Sequence, residues 1–315
     1  DVPTTTKASL LSSVIDAKAS TAVDTVGELQ TLADSVQAVM LAVNGVVSGG
    51  SALTKAQLDG LGITGVTDNN LADALAALAN TPNDGSSVNT LPALQYVVNL
   101  GVDSSKQSAL TLISNFAADN TTSEPSSGAF SYSGTLPTLR DYANAGAINI
   151  DNTNLDAIND ALATNDVGRA AVQDTVGIQA VISAYNALLA LSDGAANAGT
   201  ALTATQLGKL GVNLGNARTV SSNLALLNQV LDRQAGTSVD RVAEIDALVS
   251  IVNAIQDSVG NLSASSGLTA ANLTTIGLTL ANNSHLAGVR ESMAAQSAGS
   301  NIDSLSKLQA FLTTK

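Results

Sequence analysis

"LTKAQLDGLGITG" at residues 53–65 returns almost unchanged as "LTATQLGKLGVNLG" at 202–215 and "LTAANLTTIGLTL" at 268–280. An active-site motif ordinarily occurs once, whereas a phrase that returns at a near-constant interval marks a building unit. Placing its glycine in register gives Gly62, Gly146, Gly211 and Gly277, at intervals of 84, 65 and 66 residues. A second marker agrees: an Asp or Asn, then a polar residue, then an aliphatic one. It occurs at Asp24, Asn89, Asp174 and Asp240, with a weaker copy at Asp303, and its intervals are 65, 85, 66 and 63 residues.

Each unit reads as three helices. In the first, Val26, Leu29, Ala33, Val36, Met40, Val43 and Val47 recur at alternating spacings of three and four, which predicts one apolar stripe along a helix. Asp24 is placed to cap its first turn. The second helix is the quoted phrase. Thr54 and Gln57 form a capping box, Leu53 and Leu58 occupy the staple positions on either side, and Gly62 supplies a left-handed stop. The third carries Leu71, Leu75 and Leu78, answered by Leu155, Ile158 and Leu162, by Leu224, Leu227 and Leu231, and by Leu286, Val289 and Met293.

The expected fold is therefore all-α, a set of tandem three-helix-bundle repeats forming an elongated array. Residues 24–88, 89–173, 174–239 and 240–302 are the four repeats; 1–23 are expected to be the third helix of a preceding unit and 303–315 the start of a further one, as in an excerpt from a longer array. The second repeat holds an insertion at 119–135 and five of the seven aromatic residues. Glu124, Phe130 and Tyr132 in that insertion are the candidate partner contacts, since inserted loops often carry binding function. The alternative is a tolerated insertion whose Phe130 and Tyr132 fold back over the bundle.

Composition narrows the role. Aromatics make up 2% of the chain and Trp is absent, so Ala, Leu and Val must fill the core, which suits thin helical bundles. Charged residues are only 12%, a style more usual outside the cell. The net charge of −13, with Lys and Arg scattered singly, argues against a nucleic-acid partner. The chain has no Cys, which rules out disulfides and thiolate chemistry. No apolar run approaches the roughly 18 residues needed to span a bilayer.

Catalytic and metal-binding patterns are absent. The one histidine, His285, stands at the start of the fourth unit's third helix, where Asn70 and Asn154 stand in others, and a cap-side or solvent-facing place is expected for it. Asp156, Asp160 and Asp166 match no calcium-loop spacing. The sequons at Asn120, Asn261, Asn272 and Asn282 are what chance supplies in a chain this rich in Asn, Ser and Thr. No nucleophile–base constellation occurs, so no enzyme activity, cofactor or metal is expected.

The stretch 53–95 and its echoes resemble the GA-like helical repeats of very large bacterial surface proteins and adhesins. In the related albumin-binding modules a helix ends in Gly-Val, a short helix follows and a third opens with Thr-Val. Leu61-Gly62-Ile63, Leu71 to Leu78 and Thr90-Leu91 follow that order, as do Leu210-Gly211-Val212 and Arg241-Val242. In that frame a bundle comprises the second and third helices of one unit and the first helix of the next. The resemblance implies three-helix bundles in an extracellular or bacterial cell-surface setting; the albumin-binding face has no residue-by-residue counterpart here.

Three roles follow as expectations. The first is a structural stalk or fibre body whose partners are neighbouring repeats or other copies of the protein. The second is a binding module that grips a host or cell-surface protein through a bundle face or the 119–135 insertion. The third is a self-assembling filament subunit.

Overall fold

The computed structural model describes residues 2–119, 132, 134–164, 167–195, 199–218, 221–261, 267–279, 285–296 and 302–313. They are all-helical; no β-strand forms among them, and an isolated bridge pairs Asp193 with Ala235. After α1 (Thr4–Asp16) a long, short, intermediate order recurs. The first round is α2 (Val26–Val43), α3 (Lys55–Leu61) and α4 (Leu71–Ala79). The second is α5 (Leu91–Asp119), α6 (Leu139–Asn144) and α7 (Leu155–Leu162). The third is α8 (Thr175–Leu191), α9 (Ala204–Lys209) and α10 (Ser221–Asp232). The fourth is α11 (Val242–Asp257), α12 (Ala270–Thr275) and α13 (Leu286–Ala294), and α14 (Leu305–Thr313) follows.

The chain divides into two compact units, residues 1–111 with 140–146, and residues 112–139 with 147–315. In the first, α2 packs on α1, α3 and α4. Its core includes Leu10, Val14, Val39, Leu58, Leu61 and Leu78, each fully buried. Burying a Leu or Val side chain stabilises by about 1.5–3 kcal/mol, so this apolar cluster, rather than helix propensity, holds such short helices. Arg140 Nε donates to the carbonyl of Asn69 at 2.9 Å, and its guanidinium lies 3.7 Å from Asp73. In the second unit α8 packs on α7, α9 and α10, while α11 packs on α7, α10 and α12.

Two local expectations shift. The cap of α2 is Thr25 rather than Asp24: its hydroxyl accepts from the Glu28 N–H at 3.2 Å, and Glu28 reaches back to the Thr25 N–H at 3.0 Å. Either Asp24 or Thr25 is a competent capping residue, but only Thr25 has a Glu three places on. The apolar stripe of α2 is also buried only along its later part. Val36, Met40 and Val43 lie in the core, whereas Val26 is 83% exposed and Val47 falls beyond the helix end.

The long helix of the second round runs for 29 residues, against 16 to 18 in the other rounds. Gly101 allows it close to α4, because a Cβ there would stand 2.4 Å from the carbonyl oxygen of Asp73. The helix then leads toward the insertion, most of which lies outside the described residues.

Candidate functional site

The recurring phrase builds a corner. In α3, Thr54 Oγ1 accepts from the Gln57 N–H at 3.2 Å and Gln57 Oε1 accepts from the Thr54 N–H at 2.9 Å. The same reciprocal pair forms at Thr203–Gln206 and at Thr269–Asn272. Leu53 and Leu58 pack on either side of the first box and are buried. The helix then stops at Gly62 with φ +97°, and Gly146, Gly211 and Gly277 repeat the stop at +82°, +77° and +79°. A left-handed glycine turns the chain without the Cβ clash another residue would suffer. The residue after it is apolar and buried each time: Ile63, Ala147, Val212 and Leu278.

The next residue is where the corner is gripped. The Thr64 N–H donates to Gln95 Oε1 at 2.9 Å, and Gln95 Nε2 donates to the Thr64 carbonyl at 3.0 Å. Gln179 holds Ile148 in the same way, at 2.9 and 3.2 Å. Gln309 holds Thr279, at 3.0 Å both ways. In the third corner Asp246 takes the place of Gln and accepts from the Asn213 N–H at 2.8 Å; a carboxylate accepts only, so that grip is one-sided. A side-chain amide that pairs with both the N–H and the C=O of one residue satisfies two backbone groups in a loop that no helix supplies. Each grip lies five residues after a helix cap and ties a corner to the helix that follows the round: α5, α8, α11 or α14.

Behind the corner a second polar layer holds the start of the third helix. Asn70 Oδ1 accepts from the Thr67 N–H at 2.7 Å and its Nδ2 donates to the Gly65 carbonyl at 3.1 Å. Asn154 repeats both bonds with Asp151 and Asn149, at 2.9 and 3.1 Å, and adds one to Asn186. In the third round Asn223 donates to Asn253, which donates to the Leu214 carbonyl. His285, at the matching place before α13, is exposed and makes no side-chain cap bond.

No family model, curated protein or solved structure matches this chain.

The residues singled out from sequence fall in different places. Glu124 and Phe130 lie outside the described residues, as do Asp166, Asn120 and Asn282. Tyr132 is half-buried and meets the ring of Phe116, near the end of α5, edge-on with centroids 5.4 Å apart. Asp156 is exposed, while Asp160 is buried and its Oδ2 accepts from the Val242 N–H at 2.6 Å. Among the described residues no group of three His, Cys, Asp or Glu side chains is placed to hold a metal ion. Nor is any helix among them long and apolar enough to cross a membrane.

Near Asp160 a set of acidic groups is crowded. Burial first, then the charges of Asp240, Glu244 and Asp160, push the Tyr185 phenol upward. Burial first, then Asp240, raises the Glu244 carboxyl above its ordinary value. The Gln grips were missed in sequence, although a signal existed: an amide or carboxylate stands at one fixed offset into every long helix. Gln30, Gln95, Gln179, Asp246 and Gln309 are its five instances.

Proposed function

We propose that this chain is a non-enzymatic structural segment, a tandem array of three-helix bundles in the stalk or fibre body of a bacterial extracellular or cell-surface protein. The observation that carries it is the fourfold grip. The same glycine corner is seized by the helix that opens the next round, at Gln95, Gln179, Asp246 and Gln309, and these bonds join residues 30 to 33 apart, from one repeat into the next. The polar side chains that recur with the repeat serve to tie it together, which is what an array under load requires and what a catalytic cleft does not. The grips also favour the frame in which each bundle joins a short helix, the intermediate helix after it and the next long helix. The resemblance of residues 53–95 to GA-like repeats, and the sparse charge, favour the surface setting.

Small-angle X-ray scattering of the chain across a concentration series tests this proposal. An elongated particle is expected. A compact particle with the radius of gyration of a 315-residue globule, about 20 Å, would overturn the stalk.

A second role, gripping a host or cell-surface protein through a bundle face, is favoured by Tyr96 and Leu100 on α5. They are 65% and 50% exposed and one helical turn apart. Leu100 also lines a groove of about 410 Å³ between α4 and α5. Retention of a surface protein by the native chain and its loss with Tyr96→Ser/Leu100→Ser would support that role; equal retention by both would exclude this face.

A further inference from the structure

The groove between a long helix and the short helix after it recurs with matching walls. In the first round Ala22, Leu32 and Ala56 line a groove of about 590 Å³. In the third, Ala171, Val181 and Thr205 line one of about 280 Å³, each standing 149 places after its counterpart. The charges of the two grooves differ. The first holds Lys18 with Glu28, whereas the third holds two cations, Lys209 and Arg218, and no carboxylate among its described lining residues.

No other corner carries a cation at either place. Gly60, Asn144 and Thr275 stand where Lys209 does, two places before the corner glycine, and Asn69, Thr153 and Ser284 stand where Arg218 does, seven places after it. The negative end of a short helix draws one cation elsewhere. Lys18 nears Gly62 and Arg233 nears Gly277, at 3.9 and 3.8 Å from where a Cβ would stand. A second cation is surplus to that need. Room is made for it: Gly208 replaces Asp59 of the first corner, and a Cβ there would stand 3.4 Å from Arg218 Nη2. Lys209 and Arg218 are exposed, and neither side chain makes an ion pair or hydrogen bond among the described residues. The carboxylates bonded to the same loop are engaged elsewhere, since Asp246 accepts from the Asn213 N–H and Asp257 from Asn216 Nδ2. Beneath the charges the groove is aliphatic, lined by the buried Val167 and Val181.

We propose that this groove binds the carboxylate end of a peptide whose last residue is small and aliphatic. Arg218 supplies a planar fork that pairs with both carboxylate oxygens, and Lys209 supplies a point charge. The branched side chain lies against Val167, Ala171 and Val181. A terminal valine carries its carboxylate and its methyl groups on one Cα, so both fit a space of about 280 Å³, below the range that larger ligands occupy. A glutamate side chain would bring an unbranched stem and two peptide arms. A polyanion would meet the acidic remainder of a chain with net charge −13, whereas a single carboxylate feels chiefly the charges within a Debye length. The site goes beyond the structural role above and does not depend on the chain's shape.

Methyl NMR of the full chain, titrated with N-acetylvaline to tens of millimolar, tests the site, with N-acetylvaline amide and inorganic phosphate as comparison probes. N-acetylvaline is expected to shift the Val167 and Val181 methyls, and neither comparison probe to match it. Arg218→Ala and Lys209→Ala should each weaken that binding roughly fivefold or more. Gly208→Asp, which sets a carboxylate beside the guanidinium, should abolish it with unchanged helix content by circular dichroism. Equal shifts from the amide would show an apolar groove without carboxylate recognition, and equal shifts from phosphate a general anion site; either overturns the proposal. So does a native chain whose methyls do not move, or binding that all three variants leave intact. Scattering reads elongation and not this groove, so the stalk and the site fail separately.

Discussion

Replacing Gln95 by alanine deletes both bonds of the first grip, at 2.9 and 3.0 Å, and leaves the corner glycine and its capping box untouched. Each such bond contributes about 1 kcal/mol net. The gross loss is then about 2 kcal/mol, reduced because Thr64 is exposed and water can partly replace the amide. Alanine also returns a few tenths of a kcal/mol through its better helix propensity. The bonds win, and a net loss of about 1–1.5 kcal/mol is expected. In urea, with a slope of about 1–3 kcal/mol/M, the midpoint should fall by roughly 0.5 M. Gln95→Glu supplies the internal control. It keeps the acceptor for Thr64 N–H and loses the donor, as Asp246 does naturally, so its midpoint should fall between those of native and alanine chains. Tyr96→Ala, at the exposed neighbouring position, should move the midpoint by less than either. An alanine variant as stable as the native chain, or a glutamate variant less stable than alanine, would refute the grip.

Other perturbations test separate parts of the account. Gly62→Ala places a side chain at φ +97° with nothing nearer than 3.9 Å, so it should cost about 1–2 kcal/mol from backbone conformation alone, read by urea midpoint. Gly101→Ala lies mid-helix, where the exchange ordinarily gains up to about 1 kcal/mol. Here the new Cβ would meet the Asp73 carbonyl at 2.4 Å, so the sign should reverse and thermal melting should show destabilisation. Glu244→Gln should raise the melting temperature at pH 7. The folded carboxyl has its pKa raised above 4.5, so ionisation opposes folding as pH rises through that folded value. The gain should vanish below about pH 4.5, where glutamate is protonated folded or unfolded, and a gain that persists there would contradict the assignment.

What the sequence disclosed was local. The Thr54–Gln57 box and the glycine stop each depend on residues within one or two turns, and both stand as the spacing implies. The cap of α2 was misplaced by one residue because Asp24 and Thr25 are both able to cap, and the reciprocal Glu28 decides between them. The grips were hidden for a different reason. They join residues 30 to 33 apart, and one partner is always backbone, which leaves no mark in the sequence. The side chains of Ser13, Asp160 and Gln229, which accept from the first amides of α5, α11 and α14, are hidden in the same way, across longer distances. Periodicity predicted that Val26 and Leu29 would be core. It identifies the apolar face of a helix and says nothing of whether a neighbour covers that face at each turn.

Amide hydrogen exchange at Thr64, Ile148, Asn213 and Thr279 tests the central claim most directly. All four lie outside the helices with exposed side chains, so their amides would ordinarily exchange as those of a surface loop. The grips predict slow exchange at all four, with Gln95→Ala releasing Thr64 and sparing the other three. Exchange at loop rates in the native chain would mean that these side chains do not hold the corners, and the structural account of the repeat would fail with them.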